Sequence, residues 1–224
     1  MATTGAYPIV NFHGIGAPLR PLEPGETDYW LGRERFQTIL DLIADHPNRE
    51  NIQITFDDGN TSDLLIAAPE LKNRGLTAEF FVLTGRIGQH GSLDIDDIRT
   101  LLGMGMRIGS HGVDHQDWTK LPASILAYEL ETSRERLTEI CEADIRTASL
   151  PFGWYNNSVL LELKRCGYTT AYSSSGGNAR VADFLKPRTS VRADTTDITV
   201  NSVLAGQTPI WRSLRSQVRA RFRV

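Results

Sequence analysis

Five side chains stand out for the chemistry they could do before any fold is considered. Asp57 and Asp58 are adjacent carboxylates in ITFDDG, and His111 and His115 are spaced i, i+4 in SHGVDH. Adjacent carboxylates repel, so they must diverge or share a cation. Two histidines four residues apart lie on one face if the segment is helical, which suits two ligands of a borderline ion such as Zn²⁺. One carboxylate with two imidazoles makes three protein ligands and leaves positions open for water, as in a catalytic rather than a closed structural centre. The other aspartate could then take a proton from that water. His13, in PIVNFHGIG, is a third histidine of interest in a chain that has only five. Each feature also has an ordinary explanation. Asp-Asp-Gly is common turn chemistry, His-x3-His arises by chance, and His13 could be a loop histidine with satisfied nitrogens.

The elements that must position these groups follow from periodicity. Apolar or β-branched runs at 7–12, 51–56, 77–83, 107–109, 146–150, 168–173 and 188–191 predict strands. Helical patterns fall between them at 30–45, 61–74, 94–104, 122–141, 156–166 and 194–204. In the fourth of these, Ile125, Leu126, Leu130, Leu137 and Ile140 are predicted to share one buried stripe. Asp63 and Asp94 stand at helix starts, and Gly167 follows Lys164 and Arg165 as a helix terminator. Strand–helix alternation along the whole chain predicts parallel βα units in a single α/β domain. An eightfold barrel usually takes about 250 residues, so a distorted barrel of seven or so units fits 224 residues better. In such folds the active site lies at the carboxyl ends of the strands. His13, the Asp57–Asp58 pair, the His111–His115 pair and the segment Pro151, Phe152, Gly153 each follow a predicted strand. Four loops should therefore meet on one rim.

Composition narrows the remaining classes. Apolar residues are 40% and charged residues 23%, ordinary for a globular domain. Lys and Arg total 24 against 27 Asp and Glu, so no bulk basic field is available for nucleic acid. No run approaches the length of a transmembrane helix, and the first residues lack the basic and apolar regions of a secretory signal. A cytoplasmic protein is the expectation. Cys141 and Cys166 do not make a disulfide framework. Gly103, Gly105 and Gly109 do not open a helix after a strand, and Ser110 lacks a Gly-x-Ser-x-Gly elbow, which argues against a dinucleotide site and a serine hydrolase. Residues 1–209 read as the barrel and 210–224 as a basic amphipathic segment, either packed on the barrel or in peripheral contact with an anionic membrane.

TFDDG at 55–59, SHGVDH at 110–115 and LPFG at 150–153, in this order, resemble the motifs of the polysaccharide deacetylase family (carbohydrate esterase family 4, the NodB-homology domain). The resemblance spans roughly 8–192. It implies a distorted (β/α)7 barrel in which Asp57 is the general base and Asp58, His111 and His115 hold a divalent metal ion, with Zn²⁺ expected. It further implies that the backbone N–H of Phe152 donates to the oxyanion, and that the partner is a carbohydrate carrying an N-acyl amino sugar. Two departures stand against the family pattern. The arginine that usually precedes Pro-aromatic-Gly is absent, since Ala148 and Ser149 stand nearby instead. The family's late histidine, a general acid, is also missing, because no histidine follows His115. His13 is the substitute, as it resembles the strand-end Tyr-His-x-Ile of exopolysaccharide deacetylase branches; Asp114 and Asp117 are weaker candidates. Arg188, in LKPRTSVR, resembles part of a Pro-Arg-x-Ser-Val segment and either assists Asp57 or makes a surface salt bridge. Trp118 and Trp154 are either a sugar platform or core. The expected function is metal-dependent removal of an N-acetyl group from an amino sugar. The alternatives are a deformylase or deacetylase of a lipid-linked sugar at the membrane face, and a catalytically weak carbohydrate-binding barrel.

Overall fold

The predicted strands form, and their order explains how the reactive loops meet. In a computed structural model that describes residues 5–207, β1 (Tyr7–Phe12), β2 (Gln53–Phe56), β3 (Glu79–Val82), β4 (Arg107–Ser110), β5 (Thr147–Ser149) and β6 (Thr170–Ser173) pair in sequence order, all parallel. Two further strands are too short for a periodic signal. β7 (Asn178–Ala179) pairs antiparallel with β1, and β8 (Leu185–Pro187) pairs in parallel with β6. β9 (Thr189–Ser190) then pairs in parallel with β1. One stretch of chain, 185–190, thus bonds to the last stave with its first half and to the first stave with its second. Arg188 is the residue between the halves. The sheet so closes into the distorted seven-unit barrel.

Helices α1 (Arg33–Ala44), α2 (Ala68–Asn73), α3 (Ile95–Gly103), α4 (Ala123–Cys141), α5 (Asn157–Arg165) and α6 (Asp197–Leu204) lie where the helical patterns were. α1 buries Phe36, Ile39, Leu40 and Ile43, the i, i+3, i+4, i+7 stripe of a helix with one core face. Register aligns Phe12 with Phe56 and Phe56 with Phe80, and their rings stack at 5.2 and 4.7 Å. Phe36 meets Phe12 edge-on at 5.2 Å. Each such ring, fully buried, is worth about 1.5–3 kcal/mol in apolar area alone. α3 starts in a capping box, with Asp94 accepting from Asp97 N–H and Asp97 accepting from Asp94 N–H.

One local expectation needs correction. Ile125 is 43% exposed, while Leu126, Leu130, Leu137 and Ile140 are buried. The true stripe also contains Glu129 and Ser133, and a residue one step before Leu126 is rotated about 100° off it. Asp63 stands at a helix start, as expected, in the first turn. It begins a π-helical stretch, Asp63–Ala67, that runs into α2, with no side-chain cap bond. Pro69 lies just beyond and has no N–H to continue the ordinary ladder, which accounts for the widened turn.

The period-two alternation of the strands sends Ile9, Phe81 and Tyr172 into a small apolar cluster separate from the main core. Gly109 is required beside it, since a Cβ there would lie 2.4 Å from the Phe81 ring. Polar groups occupy the barrel interior on either side of this plug. Among the described residues no helix is long and apolar enough to cross a membrane. The segment 210–224 lies outside the described residues.

Candidate active site

The site begins with the way β2 ends. Asp57 N–H still donates to the Phe12 carbonyl at 3.0 Å, which carries the β1–β2 pairing one residue past the strand. Asp58 then takes φ 81° and Gly59 φ 67°. Two successive left-handed residues turn the chain sharply, so the neighbouring carboxylates point apart. For Asp58 that conformation costs roughly 1–3 kcal/mol, a strain typical of functional turns.

Asp57 faces the barrel interior. The guanidinium of Arg188 grips it in a fork, Nη1 to Oδ1 at 2.8 Å and Nη2 to Oδ2 at 2.7 Å. Asn11 donates to Oδ2 at 3.0 Å. Arg188 is fully buried and also donates to Ser149 Oγ, Asn11 Oδ1 and the Ser173 carbonyl. Burial pushes the Asp57 carboxyl up, but the charge of Arg188, with His111 and the Arg188 hydrogen bonds, outweighs it and holds the group at about 2. Arg188, at the barrel closure, is thus a buried partner of Asp57 and no surface salt bridge.

Asp58 faces the histidines. Its Oδ1 lies 3.5 Å from His111 Nε2 and 3.9 Å from His115 Nε2, and the three donor atoms fit within 4.8 Å of one another. The segment between the histidines is a loop rather than a helix. Buried Glu129 of α4 holds it, accepting from the backbone N–H of Val113 at 2.8 Å and of Asp114 at 3.3 Å. His115 has φ 48°, a second strained position. His111 Nδ1 lies 2.9 Å from the Ser149 carbonyl, and His115 Nδ1 lies 2.8 Å from Glu23 Oε2. A carbonyl and a carboxylate only accept, so each Nδ1 carries the proton and each Nε2 presents its lone pair toward Asp58. Asp58 Oδ1 is buried without a hydrogen-bond partner. An orphaned carboxylate oxygen facing two imidazole lone pairs is a donor set that a divalent cation satisfies.

His13 sits across the rim, its Nε2 4.0 Å from Asp57 Oδ2 and its ring against Tyr29 at 4.9 Å. Its Nδ1 is buried without a partner. Burial, only partly offset by Asp58 and Asp57, keeps it below the ordinary histidine value. Phe152 is at φ 58° and 47% exposed, its ring tilted against His115 at 4.5 Å and against Trp154 at 5.0 Å. Trp118 is 1% exposed and belongs to the core, so it offers no sugar platform. Asp117 caps the short turn Trp118–Lys120 by accepting from Thr119 N–H.

Glu23 and Glu129 had no part in the sequence reading, and Asp63 entered it only as a helix-start residue. Glu129 had a usable signal, a carboxylate on the apolar stripe of α4. Glu23 had none, because it meets His115 across 92 residues from inside an irregular loop. Asp63 is fully buried with both oxygens unpartnered. Burial, with the charges of Asp58 and Asp57 adding to it, pushes its carboxyl well above the ordinary value.

The model of the family "Polysaccharide deacetylase" matches residues 44–171, more than half of the chain. "Putative polysaccharide deacetylase YxkH" of Bacillus subtilis (strain 168) is 29% identical over 183 residues, 77% of this chain and 66% of that relative, just under two thirds of its length. Among solved structures, the Streptococcus pyogenes deacetylase PplD in complex with acetate superposes with a TM-score of 0.77 at 21% identity, covering 90% of this chain and 99% of that one. IcaB from Ammonifex degensii gives 0.72 at 20% identity, covering 93% and 97%. BC0361, a polysaccharide deacetylase from Bacillus cereus, gives 0.76 at 20% identity, covering 89% and 69%. At these identities the structural likeness speaks for the barrel, and the family match carries the assignment: the chain belongs to the polysaccharide deacetylase family.

Proposed function

We propose that the protein is a metal-dependent amide hydrolase that removes the N-acetyl group from an amino sugar of a polysaccharide or oligosaccharide. The observation that carries this reading is the convergence of Asp58 Oδ1, His111 Nε2 and His115 Nε2, with both Nδ1 atoms already engaged. Those three residues would hold a divalent ion. A mixed nitrogen and oxygen set with an open side suits Zn²⁺. Such an ion supplies, when bound, Lewis acidity toward the acyl carbonyl and the attacking water.

The remaining roles belong to the chain itself. Asp57 takes the proton of the attacking water. Arg188 and Asn11 use three of its four lone-pair directions and leave one for that water. His13 begins neutral, 4.0 Å from Asp57, and is placed to receive that proton and pass it to the departing amine. The backbone N–H of Phe152, set by its left-handed turn, donates to the oxyanion. Phe152 and Trp154 present an aromatic surface beside His115 on which a sugar face can lie. A catalytically weak binding barrel is the less favoured reading, since Arg188 makes to Asp57 the kind of contact the absent arginine would have made.

The test is elemental analysis of wild type and His111→Ala, paired with acetate release from N-acetylated amino-sugar oligomers. About one divalent ion per chain, lost in the variant, with ion-dependent acetate release, is the expected result. Bound ion without acetate would redirect the substrate to N-formyl or lipid-linked sugars. No ion in either protein after reconstitution would sink the hydrolase reading.

A further inference from the structure

The chain between β1 and α1 does not turn short but crosses the rim beside the ligand residues. Its ends are zipped together. Leu31 N–H donates to the Gly14 carbonyl at 2.9 Å and Gly16 N–H to the Leu31 carbonyl at 2.7 Å. Trp30 lies against Gly14, where a Cβ would come within 2.2 Å of the indole, and its Nε1 donates to the Gly16 carbonyl. The far part of this loop is held by charge. Glu26 accepts from Glu23 N–H at 2.8 Å and from Arg20 Nη1 at 3.0 Å. Arg20 in turn donates to Asn60 Oδ1 from Nε at 3.1 Å and from Nη2 at 2.9 Å. Asn60 stands two residues after Asp58. Glu23 meets Arg86 with Oε1 and His115 Nδ1 with Oε2. One loop therefore grips both segments that carry ligands, 58–60 through Arg20 and His115 through Glu23.

The chemistry of that grip is specific. With its proton directed to Glu23, His115 presents Nε2 toward Asp58. Arg86 occupies the other Glu23 oxygen and neutralises its charge, which keeps Glu23 from being drawn onto the ion as a ligand. His115 has no helix to hold it and a strained φ, so its orientation depends on side-chain partners. Its ring also meets those of His111 and Phe152, which restrict tilt and do not select a tautomer, and its Nε2 lies 3.9 Å from Asp58 Oδ1, too far for a hydrogen bond.

We propose that Glu23, clamped by Arg86, is a positioning residue for the ion: it fixes the tautomer and orientation of His115, and it makes ion affinity depend on the loop 13–32. The proposal rests on Asp58, His111 and His115 being the ion's ligands. Linkage makes the coupling reciprocal, so ion binding must tighten the loop.

Zinc affinity of the full chain, measured by competition with a chromophoric chelator, tests this together with hydrogen exchange of 13–32 with and without Zn²⁺. Glu23→Ala should weaken zinc binding about 10–100-fold, the usual effect of removing a carboxylate behind a histidine ligand. Glu23→Gln keeps an acceptor and should fall between that variant and wild type. In wild type zinc should slow exchange across 20–26, and in Glu23→Ala it should not. Zinc affinity within about twofold of wild type in both variants would overturn the proposal. So would a loss in Glu23→Ala as complete as in His115→Ala, since that would make Glu23 a ligand. If Glu23→Ala does not fold without metal, Arg86→Met reads the same coupling with Glu23 present but unclamped, and it must also weaken zinc. Absence of zinc binding in wild type would instead overturn the ligand assignment, and the proposal with it.

Discussion

The barrel interior holds a buried carboxylate at each end, and the two are treated differently. Near the amino ends of the strands, Glu79 accepts from Thr147, from Gln53 at 3.3 Å and from Tyr172 at 3.4 Å, with Arg107 at 3.5 Å from the solvent side. Burial and the charge of Glu79 push the Tyr172 hydroxyl up, which keeps it a donor. None of these side chains is among the buried groups left without partners. At the other end Asp57 is matched by a fully buried arginine, and around it the chain tolerates disorder of bonding. The described buried orphans are His13 Nδ1, Asp58 Oδ1, Asn60 Nδ2, both Asp63 oxygens, Trp118 Nε1 and Arg192 Nε. All lie in or at the start of segments that follow strand ends. Three of the four described non-glycine residues with positive φ, namely Asp58, His115 and Phe152, are there too. A satisfied network rigidifies, whereas strain and unmet donors mark the end built to receive a ligand.

Removing the arginine should break the contrast most severely. Arg188→Met leaves Asp57 buried without a counter-charge and should cost about 3–5 kcal/mol in urea unfolding, with hydrolysis abolished. Arg188→Lys should recover little, because a point charge cannot replace the fork. A stable, active Arg188→Met would show that Asp57 needs no partner and would dissolve the difference between the two ends.

At the other end the effect should be on stability alone. Glu79→Ala strands the donors of Thr147, Gln53 and Tyr172 and should cost about 1–3 kcal/mol. Zinc affinity should stay at the wild-type value, since separated networks contribute nearly additively. A weakened zinc site would mean that the ends communicate through the apolar plug.

The smallest effect should come from Asp63, and its sign sharpens the comparison within the upper end. Asp57 is depressed below its unfolded value, so its stabilisation is present above about pH 4 and is lost as pH falls through about 2. Asp63 is shifted the opposite way, so its contribution is full below about pH 4 and is lost as pH rises toward its folded value. Asp63→Asn does not titrate and should gain on wild type as pH rises, which urea unfolding at about pH 5 and pH 8 would compare. An unchanged difference between the two pH values would mean that Asp63 is not a buried neutral acid.

Local pattern carried much of this. The runs 7–12 and 107–109 and the helical patterns at 94–104 and 122–141 became elements within a residue or two of their predicted ends. That agreement reflects strong alternation and clear punctuation, as in the capping box at Asp94. Failures came where several residues competed for one role. Ile125 lies beside a stripe that needed only one of two neighbouring apolar residues. Trp118 and Trp154 had the same local signal, yet only the fold could assign one to the core and leave the other at the rim. Strands β7 and β8 exist because the closing chain finds partners, and two or three residues have no period to read.

Residue order alone determined the barrel's repeating units, the strand-end placement of Asp57, Asp58, His111 and His115, and the family they resemble. Those features depend on near neighbours, on periodicity and on turn chemistry, so they are written within short windows. Tertiary structure alone decided that Arg188, 131 residues from Asp57, is its buried partner, and that Glu23 turns His115 toward Asp58. Both follow from where a closing barrel and a crossing loop bring side chains into contact. Such contact is set by packing in three dimensions, and no stretch of sequence records it.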